Sequence, residues 1–186
     1  MSQRPPRLAP LEPAAFTEEQ RTLVGDWSHL NFARVAVRHP AAYRVFLPYI
    51  DKVIRETELT PRDREILVIR TLAHSEEVYE ARHHDLIAHN AQMSDAELTA
   101  IRAEGEGLSE FDLALMRAAD ELVRDHDLSD ATWEQLASRY TELQIMEVIF
   151  LVGCYAVMAM LTNSLGIPLE SGKDTYRRLG ELREYT

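Results

Sequence analysis

The 186-residue sequence has one cysteine, no basic stripe, no alternating strand pattern and no common nucleophile or nucleotide signature. Each absence removes a class of protein. The lone Cys154 cannot close an intramolecular disulfide, which fits a reducing compartment. With 20 Lys and Arg against 31 Asp and Glu, the formal net charge of -11 leaves no surplus to neutralise phosphates. Nucleic acid is therefore not the expected partner. The basic cluster in "YRRLGELR" near the end reads as a solvated helix face. The opening "MSQRPPRLAPLEPAAF" carries charge and proline but no continuous apolar stretch, so it does not read as a secretory signal. The most apolar run, "VIFLVGCYAVMAML" (148–161), is shorter than a bilayer span and follows Glu147 directly. A buried core helix is the expectation, in a soluble, cytoplasmic protein without a membrane partner.

Nearly every segment carries helical spacing. In "PAAYRVFLPYIDKVIRET", Tyr43, Phe46, Leu47, Ile50 and Ile54 recur at three- and four-residue steps along one face. "TPRDREILVIRTLA" offers Thr60 as an N-cap with Pro61 at the first helical position, and a buried stripe of Ile66, Leu67, Ile69, Leu72 and Ala73. A further helix is expected to begin after "AHS", capped by Ser75, with Glu76 and Glu77 in its first turn. Others start at Ser94 or Asp95 (stopping at Gly105), at Ser109, and at Ser129 or Asp130. A long apolar helix runs from about Glu142 to Asn163. These readings give an all-α, single-domain helical bundle over 15–186, with 1–14 as a flexible N-terminal tail.

The chemistry gathers in "RTLAHSEEVYEARHHDL" (70–86). On a continuous helix Glu77, Glu80 and His84 would project from one face, with Tyr79 and His83 just around it. A carboxylate one turn from an imidazole sets its tautomer and raises its basicity, which suits proton transfer. The same residues also suit an ordinary solvated face. Glu80 and His84 would supply two metal ligands, but no HExxH occurs and no third ligand stands out. GxSxG, P-loop and GxGxxG patterns are absent too. Cys154 reads as a buried, inert thiol, and Trp27 and Trp133 as packing residues.

Taken together, "LNFARVAVRHPAAY", "LTPRDREILVIRTLAHSEEVYEARHH", "MSDAELTAI", "DLSDATWEQLASRY" and "FLVGCYAVMAMLTNSLGIPLE" resemble the carboxymuconolactone decarboxylase and alkylhydroperoxidase D-like family. The resemblance covers most of the chain. It implies an all-helical fold and a homo-oligomer, a trimer or a hexamer. The thiol branch of that family carries C-x-x-C-x-x-x-H with a Glu in the preceding helix. Here those positions hold Glu77, Glu80, His84 and Glu65. Without the two thiols, the disulfide cycle behind peroxide reduction cannot run. The decarboxylase branch has a Glu four residues before the same His, as Glu80 and His84 are placed, and works without metal or organic cofactor.

The resemblance thus implies a cofactor-independent lyase or isomerase acting on a small organic acid, lactone or enolisable carbonyl compound. His84 would be the general base or acid, with Glu80 orienting it, Glu77 as a second acid and Glu65 closing the relay. Tyr79, His83 and Tyr155 would contact the substrate, the tyrosines donating to a developing enolate. The competing expectation is a non-catalytic binding or oligomeric scaffold.

Overall fold

The computed structural model describes residues 5–170; the "YRRLGELR" cluster and residues 1–4 lie outside them. Among the described residues, nine α-helices and no strands occur. In chain order they are α1 (Glu18–Val24), α2 (Asn31–Ala36), α3 (Pro40–Arg55), α4 (Pro61–His74), α5 (Tyr79–Asn90), α6 (Asp95–Arg102), α7 (Glu110–Arg124), α8 (Asp130–Ala137) and α9 (Glu142–Leu165).

The helix starts follow local chemistry. Thr60, Ser94, Ser109, Ser129 and Thr141 each accept a backbone N–H of the first turn through the side-chain oxygen. At Ser94, Ser109 and Thr141 the third helical residue answers back to the cap, closing a capping box. α6 stops at Arg102, short of Gly105, which lies in the turn beyond it with φ 78°.

α4 occupies the middle of the bundle, packed by α5, α6, α7 and α9. Ile66, Leu67, Val68, Ile69 and Leu72 are buried there, each contributing roughly 1.5–3 kcal/mol by leaving water. α4 also buries Asp63, Arg64 and Glu65. Buried charges need partners. Asp63 accepts the Tyr140 hydroxyl at 2.7 Å, and Glu65 is taken up by the site described below.

α9 packs on α3, α4, α7 and α8 with Val148, Leu151, Cys154, Tyr155 and Met158 inward. Its 24 residues are long and apolar enough to cross a bilayer by length and composition, longer than the 148–161 run suggested. Here one side of it forms core. It ends at Gly166 in the left-handed region, φ 64°. The chain then turns back, so that Ile167 and Glu170 are buried against the bundle.

A smaller layer comes from the N-terminal third, where Phe16, Val24, Leu30, Ala33, Val37 and Tyr43 form a second cluster. Trp27 packs against that cluster as expected. Trp133 does not pack as expected; it is 45% exposed. The segment read as a tail is irregular from Pro5 to Glu12 yet tethered. Arg7 N–H donates to the Leu165 carbonyl at 2.8 Å, and Arg34 and Arg38 donate to the Leu11 and Ala9 carbonyls.

Candidate active site

The turn between α4 and α5 sets the site. It does not follow the continuous helical register expected from Ser75. The Glu76 N–H bonds the Ala73 carbonyl at 3.1 Å and the Glu77 N–H bonds the Leu72 carbonyl at 2.9 Å. This pair of bonds is a Schellman closure, with Glu76 at φ 47° in the position usually given to glycine. Glu77 therefore stands before α5, not on its face. Its carboxylate caps the helix instead, accepting the Tyr79, Glu80 and Ala81 N–H groups at 2.8, 2.8 and 3.1 Å. Val78, the formal N-cap, has no side chain able to do this.

Within α5, adjacent histidines diverge into two networks. His84 Nδ1 lies 2.7 Å from Glu65 Oε2 on α4, with both side chains buried. Tyr155 of α9 meets the His84 ring edge-to-face, with centroids 4.9 Å apart, and fixes its plane. The carboxylate paired with His84 is thus Glu65. The expected Glu80–His84 pair is not what forms: Glu80 lies 3.6 Å from His83 Nδ1, three residues on. The helix places the i+3 imidazole closer to this carboxylate than the i+4 one.

His83 in turn reaches Glu170 through Nε2 at 3.1 Å. Glu170 also accepts the Tyr79 hydroxyl and, at 2.7 Å, the Asn31 N–H. Tyr79 accepts the Phe32 N–H at 3.1 Å. One carboxylate after α9 thereby joins α2 and α5. Sequence reading missed Glu170, which lies 86 positions from His84 in "IPLE" with no motif around it.

Glu65, Glu80, His83, His84 and Tyr155 line a common cavity of about 80 Å³, space for roughly five waters or one small ligand. Leu47, Ile50, Val68 and Met158 supply much of its apolar wall. Glu77 and Tyr79, both expected at the reacting centre, are not part of this lining. Their physical roles are the helix cap and the clasp on Glu170.

No protein-family model and no curated protein sequence matches the chain. Among solved structures, it superposes on an uncharacterized peroxidase-related protein from Ralstonia eutropha JMP134, described as an alkylhydroperoxidase AhpD core. The TM-score is 0.78 over 97% of this chain and 99% of that one, at 16% identity. The chain has the alkylhydroperoxidase D-like fold. On that fold, the positions that carry the two thiols in the resemblance hold one helix-capping carboxylate and one cavity carboxylate. The one thiol of the chain cannot take their place: burial, with the nearby Glu80 charge, pushes Cys154 up to about 12. It holds its proton at neutral pH and is a poor nucleophile.

Electrostatics in the site separate the two networks. Burial works against a charged His83, but hydrogen bonds to Glu170 and Glu80 outweigh it and raise its pKa to about 9. Burial would likewise raise Glu170, yet the bonds from His83, Tyr79 and the Asn31 N–H hold it below the usual carboxylate range. Burial and the neighbouring Glu80 push Glu77 up, against the Thr162 hydroxyl and the capped N–H groups.

The linkage has a definite sign. His83 rises from 6.5 to about 9 on folding, so its contribution is complete below 6.5 and is lost as pH climbs through about 9. The size is on the order of 3 kcal/mol. Thermal melts from about pH 6 to about pH 10 should show an alkaline fall in stability that His83→Gln removes. An unchanged alkaline limb in that variant would assign the fall to another group.

Proposed function

We propose that the protein is a cofactor-independent acid–base enzyme, a lyase or isomerase acting on a small enolisable carbonyl compound, lactone or organic acid. The observation that carries this reading is the buried His84–Glu65 pair, 2.7 Å apart, opening onto the cavity. With Nδ1–H donated to Glu65, the lone pair of His84 sits on Nε2. That nitrogen takes a proton from carbon next to a carbonyl, and the electron pair moves onto the carbonyl oxygen. The imidazolium of His83, on the same cavity wall, adds positive charge near the resulting enolate while its ring N–H groups stay with Glu80 and Glu170. In an isomerase, His84 returns the proton to another atom of the same enolate. In a decarboxylation, His84 starts protonated: the bond to the carboxylate breaks, carbon dioxide leaves, the electron pair passes into the enolate, and His84 gives its proton to the carbon that remains and takes up another from solvent.

Peroxide reduction of the thiol type does not fit, because neither thiol is present at its position and Cys154 stays protonated. A scaffold without chemistry is disfavoured by the same geometry. Glu80 and His84 both face the cavity rather than solvent. Incubating the protein with a library of β-keto acids, lactones and enolisable ketones, and following products by NMR, tests the reading. Product formation that disappears in His84→Ala supports it. Conversion unaffected by that change contradicts it.

We propose further that the protein is a homo-oligomer joined through α9. Leu143, Met146, Phe150, Val157 and Met160 are between 41% and 65% exposed and recur at three, four, seven and three residues. Gly153 fills the gap in that seam without adding bulk. Such a stripe matches the same stripe on a second copy, knob into hole. Light scattering at micromolar concentration should give a multiple of the 21.3 kDa chain mass. A monomer mass would contradict this, and recovery with lipid vesicles would assign the stripe to a bilayer.

A further inference from the structure

The Tyr43 side chain is used by neither network, yet it belongs to the wall of the same cavity. It projects from α3, within the N-terminal cluster, whereas His84 and Glu65 come from the central helices. Its relative exposure is 3%. Among the described residues, its hydroxyl is the one buried side-chain oxygen or nitrogen with no hydrogen-bond partner in the protein. Native folds rarely leave such a group unpaired, because the lost hydration is not repaid. A residue of the cavity wall thus carries an uncompensated, buried hydroxyl.

We propose that the Tyr43 hydroxyl hydrogen-bonds an oxygen of an uncharged, mainly apolar ligand held in this cavity. This names the substrate class and rests on the proposed function only in taking the occupant as the substrate. Two further observations support it. The lining carries three formal anions, Asp51, Glu65 and Glu80, and three cations, Arg55, Arg64 and the His83 imidazolium. No positive surplus is available for an anionic ligand; Arg55, for one, is held by Asp51 at 2.8 Å. The phenol, raised to about 12 by burial, keeps its proton and can donate. A carbonyl or ether oxygen fits that donor, while the reacting carbon faces His84. A hydrocarbon of the same shape would leave the hydroxyl unpaired, which is how buried polar groups enforce selectivity.

The experiment compares wild-type protein with Tyr43→Phe, using three probes in ligand-observed NMR titrations. Cyclohexanone supplies the oxygen, methylenecyclohexane its shape without the oxygen, and cyclohexanecarboxylate its charged counterpart. Wild type should bind cyclohexanone most tightly. Tyr43→Phe should weaken that binding roughly tenfold, the ordinary worth of one hydrogen bond, and leave methylenecyclohexane unchanged. The variant should melt no lower than wild type, since the ring and its packing remain. Equal affinity of both proteins for cyclohexanone would overturn the proposal, as would tighter binding of the carboxylate or no binding of cyclohexanone at millimolar concentration. A variant that loses the fold would also overturn it, by revealing a structural partner for the hydroxyl. His84→Ala should retain cyclohexanone binding and its dependence on Tyr43. The binding result thus stands or falls separately from catalysis.

Discussion

His84→Ala should lower turnover of the enzyme's substrate by roughly 10²–10⁴-fold, the range lost when a positioned general base is removed. Glu65→Gln should fall in the same range. The amide can still touch Nδ1, but it no longer compensates the charge that His84 gains when it takes a proton. Because the two side chains are bonded at 2.7 Å and act as one unit, the double variant should be little worse than either single one. Glu80→Gln behaves differently. Glu80 is paired with His83, so its loss should be smaller and should multiply with the loss at His84. Each change should leave the protein folded, although removing a partner from the buried His84–Glu65 pair should lower the Tm. Steady-state kinetics on wild type, the three single variants and the two double variants checks this. Near-wild-type rates in both His84→Ala and Glu65→Gln would remove the dyad from the mechanism.

Glu170→Ala should have the largest effect on stability. It strips the acceptor from the Tyr79 hydroxyl, the Asn31 N–H and the charged His83, all in buried surroundings. Breaking a buried ionic pair by removing one partner costs roughly 3–5 kcal/mol. For a chain of this size that is a fall in Tm of about 10 °C. Glu170→Gln should cost less, since an acceptor oxygen remains. The alanine variant should also lose part of the alkaline limb set by His83, because Glu170 helps keep that imidazole charged. In wild type, Glu170 adds stability above 4.5 and loses it as pH falls. His83 adds it below 6.5 and loses it as pH rises, so the network is at full strength between those values. Calorimetry from about pH 3 to about pH 10 measures both losses. A Tm within about 2 °C of wild type for Glu170→Ala would show that the clasp adds little.

The bundle was readable because its helices announce themselves locally. Thr60 with Pro61, Ser94, Ser109 and Ser129 all cap at starts the sequence offered. The site was readable only in part. Glu65, Glu80, His83, His84 and Tyr155 do meet at one cavity. Their pairing was not legible, since register along one helix says nothing about the neighbour on α4. The helix was expected three residues too early because a left-handed Glu76 leaves no glycine to mark the turn. That single backbone conformation moved Glu77 from the reacting face to the cap. Tyr43 was legible as part of an apolar helix face, but neither it nor Glu170 gave a signal of a site role, because that role comes only through contacts the fold creates.

The account rests on His84 being a base that removes a proton from carbon within the cavity. Its most direct test is hydrogen–deuterium exchange, which needs binding and proton transfer but no completed reaction. Wild type and His84→Ala are each incubated with cyclohexanone in heavy water, and loss of the α-proton signal is followed by NMR above the buffer rate. The account predicts catalysed exchange by wild type, suppressed by at least about 10²-fold in His84→Ala while binding persists. Exchange at equal rates in the two proteins, or none above buffer despite bound ligand, would contradict it.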